Sequence, residues 1–60
     1  MTKQQIRGLE DKAITHEQLN EIEESPLVES VECCGNSGVY PHLLWYVITF
    51  KDGLQMDVYF

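Results

Sequence analysis

Two apolar-rich runs, residues 43–50 and 54–60, flank the tripeptide Lys51-Asp52-Gly53. This arrangement leaves little freedom in how the C-terminal half folds. A Lys-Asp-Gly connection suits a type I turn followed by glycine in the left-handed region, the three-residue hairpin loop that carries a bulge. In that register Phe50 faces Leu54, Ile48 faces Met56, Tyr46 faces Val58 and Leu44 faces Phe60. One face of the hairpin is then wholly apolar and is the expected core. The opposite face carries Trp45, Val47 and Thr49 beside Tyr59, Asp57 and Gln55. A two-residue Asp-Gly turn would slip the pairing by one and expose Tyr46, Ile48 and Phe50. The first register is preferred because its faces separate more cleanly.

Upstream, the period changes from two to between three and four. Residues 15–24 read as a helix. Thr15 and Gln18 form a capping box, in which the hydroxyl accepts from the third helical amide and the amide side chain returns to the cap. Ile14 before the cap and Leu19 at the fourth helical position make a hydrophobic staple. Ser25-Pro26 ends the helix, because the residue before proline is pushed out of the α region. Residues 2–13 give a weaker helical pattern. Ile6, Leu9 and Ala13 recur at helical spacing, Thr2 with Gln5 fits a second capping box, and Gly8 weakens the middle.

Residues 27–34 read as a strand whose alternation is interrupted by Glu29 and Ser30, and residues 35–41 as a loop containing Gly35-Asn36-Ser37-Gly38 and Tyr40-Pro41. The expected fold class is α+β: one or two short N-terminal helices packed on a three-stranded antiparallel β-meander. Residues 1–60 form a single domain, with a helical part over 2–25 and the meander over 27–60. A domain of 60 residues hides only about 60% of the surface of its unfolded chain. A disulfide, a metal or a second copy would add stability.

Charge narrows the function. The formal net charge is −6, and it is concentrated: Glu17, Glu21, Glu23, Glu24, Glu29 and Glu32 fall within residues 17–32 with no Lys or Arg among them. Four basic residues in the whole chain disfavour direct nucleic-acid binding, which needs cations to displace counterions from phosphates. They also disfavour attachment to an anionic membrane. A basic protein surface is the complementary partner. Glu17, Glu21 and Glu24 share one helical face by spacing, and such a row would imitate the phosphates of a nucleic acid. The alternative is a solvated face that keeps the protein soluble. A face serving only solubility usually interleaves both signs, and this one does not.

Other groups are weaker candidates. Trp45, Val47 and Tyr59 on the second sheet face form an aromatic patch of the kind found at interface centres, unless the N-terminal helix covers them. The C-terminal strand reads as a sheet edge, open to strand pairing in a homodimer. Cys33 and Cys34 are adjacent, so a mutual disulfide fits poorly. On an extended strand they point to opposite faces and do not share a metal, giving one core cysteine and one surface thiol. With His16 and His42 they are the only soft ligands, and neither a metal nor a cofactor is expected. The Gly35-Asn36-Ser37-Gly38 loop lacks the following helix and lysine of a phosphate loop. No nucleophile has a base beside it, so an enzyme is not expected. No secretory signal or membrane-length apolar run is visible, and the expected location is the cytoplasm with both thiols reduced.

In general character the chain resembles the small acidic proteins that bacteriophages and mobile elements use against host defences, among them anti-CRISPR proteins. The resemblance rests on the Glu17–Glu32 block, the helix-then-strand layout and the lack of a catalytic signature. It covers the whole chain but is compositional, so it transfers no residue role. It implies a protein acting in a bacterial host cell, blocking a nucleic-acid-handling effector such as a Cas nuclease by occupying its DNA-binding cleft. The expected function is therefore an acidic inhibitor that docks on a basic, nucleic-acid-processing partner. Glu17, Glu21, Glu24, Glu29 and Glu32 supply charge, and Trp45 and Tyr59 supply apolar anchors. Two other readings stand beside it: a homo-oligomeric accessory module whose aromatic face is its own interface, and a metal- or thiol-based switch at Cys33, Cys34 and His42.

Overall fold

The computed structural model describes all 60 residues. Helices α1 (Lys3–Arg7) and α2 (His16–Glu24) precede strands β1 (Val28–Asn36), β2 (Leu44–Phe50) and β3 (Gln55–Tyr59). The strands form one antiparallel sheet in the order β1-β2-β3, and the fold is α+β.

The hairpin adopts the three-residue register. Tyr46 lies opposite Val58, Ile48 opposite Met56 and Trp45 opposite Tyr59. Gly53 takes φ 93°, the left-handed conformation this turn requires. The Asp52 carboxylate accepts from the Leu54 N–H at 3.1 Å and also pairs with Lys3, tying the turn to α1. Leu44 and Phe60 exchange both backbone bonds at 2.9 and 3.0 Å, and the Phe50 N–H donates to the Leu54 carbonyl at 2.8 Å. Backbone polar groups alternate sides along a strand. Even-numbered residues of β2 therefore turn theirs toward β3, and odd-numbered residues turn theirs toward β1.

Both helices lie on the even-numbered face of the hairpin. Ile6 of α1, Leu19 and Ile22 of α2, and Ile14 between them form one buried cluster with Val28, Ile48, Phe50, Met56 and Val58. Burying side chains of this size stabilises by about 1.5–3 kcal/mol each. The capping box of α2 is complete: the Thr15 hydroxyl accepts from the Gln18 N–H at 3.2 Å, and Gln18 Oε1 accepts from the Thr15 N–H at 2.8 Å. α1 carries the same device at Thr2 and Gln5.

Several expectations need correction. The helical pattern over residues 2–13 yields a helix only over Lys3–Arg7. Beyond Gly8 the chain turns, Asp11 takes φ 62°, and residues 11–14 run parallel to β3. The Asp11 N–H donates to the Asp57 carbonyl at 2.8 Å, the Tyr59 N–H to Lys12 at 3.1 Å, and the Ile14 N–H to Tyr59 at 2.8 Å. These bonds engage the Asp57 carbonyl and both backbone groups of Tyr59, so the C-terminal half of the outer edge of β3 is paired with the chain's own residues 11–14, whereas the outer edge of β1 has no such cover. Strand β1 also runs to Asn36, two residues past the expected end, so Gly35 and Asn36 belong to the sheet and not to the loop. Finally, the apolar face is not buried throughout. Leu44 and Leu54 remain exposed at 39% and 44%.

Candidate functional site

The acidic residues divide between two regions. Glu17, Glu21 and Glu24 are exposed on the side of α2 opposite the buried Leu19 and Ile22. Spacings of four and three on a helix bring them together, so the expected row exists. Glu32 pairs in register with Val47, which neighbours the buried Ile48, so its side chain lies on the face of the sheet away from α2. Glu29 sits at a register shift between Val28 and Ser30. Together with Glu23 of α2, it lines a shallow depression that includes Val31. The five glutamates therefore do not form one surface. Three share the helix face, and two lie along β1.

Two ion pairs form in the protein, Lys3 with Asp52 and Arg7 with Glu10, the latter at 3.7 Å. None of the six glutamates in residues 17–32 has a cationic partner. On α2, Glu17 in the first turn suits the helix dipole, but the acids of the last turn oppose helix stability. The last turn contains no base and carries Glu21, Glu23 and Glu24 at the negative end of the helix dipole. Like charges at Glu17 and Glu21, four residues apart, add repulsion of about 0.2–0.5 kcal/mol.

Trp45 and Tyr59 are adjacent across β2 and β3, as expected, but Tyr59 is only 8% exposed. Its cover is not a helix. The Ser37 hydroxyl accepts from the N–H groups of Val39 and Tyr40 at 3.0 and 2.9 Å, shaping a loop that sets the Tyr40 ring 5.1 Å from that of Tyr59. Tyr59 is thus committed to packing within the domain, which removes it as an exposed anchor. Trp45 is half-buried, and its Nε1 is buried without a hydrogen-bond partner. Burial, reinforced by Asp11, Asp57 and Tyr40, raises the Tyr59 pKa above the ordinary tyrosine value. Tyr46 is raised for the same first reason, with Cys33 and Glu23 nearby.

Cys33 and Cys34 are both free and exposed, so neither is a core residue. Cys33 lies opposite Tyr46, and a register shift follows between Cys33 and Gly35, which breaks simple alternation at the pair. No three His, Cys, Asp or Glu side chains gather as a metal site, and no helix is long and apolar enough to cross a membrane.

Two contributors escaped the sequence reading. Glu23 faces β1 because it follows Ile22 and lies four residues after Leu19, a flank position visible in the helical spacing. Tyr40 covers Tyr59 through a loop whose path has no sequence signature. A comparison with protein-family models, curated proteins and solved structures finds no match.

Proposed function

We propose that this protein is an acidic docking module that occupies a basic, nucleic-acid-binding surface of a partner protein, acting as a nucleic-acid mimic. The observation that carries this reading is the unpaired set Glu17, Glu21 and Glu24, reinforced by Glu23, on a helix whose dipole disfavours the acids of its last turn and whose spacing sets like charges together. A helix selected for stability would place bases in its last turn. The partner class most consistent with a phosphate-like row is an effector that grips DNA or RNA, a Cas nuclease in a bacterial cell being one example. Trp45 lies on the opposite face of the sheet from α2 and Tyr59 packs within the fold, so the carboxylates of the helix carry the docking.

The test is capture of partners from nuclease-treated lysate on immobilised protein at low and high salt. Exposed charges are screened beyond about 8 Å at physiological ionic strength. A basic nucleic-acid-processing protein retained at low salt and released at high salt is the expected result. Retention that does not respond to salt would refute the reading.

A further inference from the structure

β1 is the terminal strand of the sheet, and residues 11–14 cover the C-terminal half of the opposite edge. Odd-numbered residues of β2 turn their backbone groups toward β1, as the Lys51 N–H to Leu27 carbonyl bond at 3.0 Å illustrates. Ser30 and Glu32 lie opposite Thr49 and Val47 and bond inward. Val31 and Cys33 lie opposite Ile48 and Tyr46, so their N–H and C=O groups point away from the sheet. No turn, loop or cap backbone bond involves residues 29–36. Between the two register shifts of β1, the chain thus presents two donors and two acceptors in strand geometry, a template for an added strand.

The flanking charges select the occupant. A second copy, paired antiparallel so that all four groups are used, would place Glu32 directly opposite the Glu32 of that copy. Like charges opposite each other in a sheet are destabilising, and each chain carries a net charge of −6. An extended basic segment meets the reverse condition, because Glu23 and Glu29 line a depression beside this edge and Glu32 stands on the same strand toward the other face of the sheet, all without cationic partners.

We infer that the outer edge of β1, at Val31 and Cys33, binds an extended lysine- or arginine-bearing segment of a partner protein by strand addition, flanked by Glu23, Glu29 and Glu32. This rests on the proposed reading that the partner is basic, and it specifies how part of that partner docks.

The probe is a synthetic peptide of alternating lysine and valine, with a glutamate-valine peptide as control, followed by amide hydrogen exchange in NMR. At saturating basic peptide, exchange at Val31 and Cys33 is expected to slow by about tenfold or more, and the acidic control is expected to leave it unchanged. Cys33→Pro removes an outward donor while leaving the bonds to β2, a position where edge strands tolerate proline. It is expected to weaken binding by about tenfold, with Cys33→Ser binding as the parent does. If the proline variant does not fold, the chain made by chemical synthesis with an N-methylated Cys33 amide blocks the same group. Peptide binding that perturbs only residues 17–24 and leaves Val31 and Cys33 unprotected would overturn strand addition but leave acidic docking intact. No binding of the basic peptide even at low salt would overturn both.

Discussion

Ile48 and Val47 are neighbours on the central strand, yet the hairpin register assigns them opposite fates. Ile48 has no exposed surface and meets Met56 and Val31 across the strands, whereas Val47 is half-buried on the far face between Glu32 and Asp57. Ile48→Val deletes one buried methylene-sized group and leaves a small void, a change that costs about 1 kcal/mol. For a chain of 60 residues the total stability is on the order of 3–9 kcal/mol, so the loss is readily measured. It corresponds to a fall in Tm of about 4–8 °C. Val47→Thr keeps the β-branched shape on a half-exposed site and should cost no more than about 0.5 kcal/mol. Thermal unfolding followed by circular dichroism, with Trp45 fluorescence as a second probe, measures both. Equal losses, or a larger loss for the Val47 variant, would refute the assignment of the core face and with it the three-residue turn.

Other expectations follow from particular contacts. Thr15→Ala removes the hydroxyl that caps α2 and should cost about 1 kcal/mol in urea unfolding. Trp45→Phe removes the buried, unpartnered Nε1. The relief of an unsatisfied donor, about 1–3 kcal/mol, should offset most of the lost ring contact, so the melting point should change little. Tyr46 and Tyr59 have folded pKa values raised by burial. The fold favours their neutral forms, so this stability is complete below the unfolded pKa of about 10 and is lost as pH rises through the folded values. Ultraviolet titration should therefore show both phenols ionising above the ordinary tyrosine range, coincident with alkaline loss of structure. Combined reversal, Glu21→Lys with Glu24→Lys, should slow association with the captured partner more than it speeds release, as read by surface-based kinetics; an unchanged association rate would count against the role of the helix face.

Much of the fold was legible because its signals are local. The Lys51-Asp52-Gly53 turn and the alternation on either side of it set the register. Thr15, Gln18 and Pro26 marked the ends of α2. The failures share a cause, which is that they depend on contacts distant in sequence. Ile6, Leu9 and Ala13 have helical spacing, but the backbone of residues 11–14 bonds to β3 instead, an arrangement that no local pattern announces. The same bonds cover the C-terminal half of the outer edge of β3 and leave the outer edge of β1 open. Gly35 looked like loop, yet it sits opposite Trp45 at φ 103°, a conformation glycine tolerates within a distorted strand. At the candidate site, the helical row of Glu17, Glu21 and Glu24 followed from spacing alone. The separation of Glu32 from that row, and the burial of Tyr59 beneath Tyr40, required the sheet and its loop to be in place.

Mimicry makes one demand that simple charge attraction does not: the protein and a nucleic acid must exclude each other from the same surface. The direct measurement is competition on the captured partner, with a labelled DNA or RNA duplex displaced by increasing amounts of the parent chain and of the Glu21→Lys, Glu24→Lys variant. The account predicts full displacement by the parent, an apparent affinity that falls with salt, and weak displacement by the variant. Simultaneous binding of the nucleic acid and the parent chain, with neither affecting the affinity of the other, would contradict it.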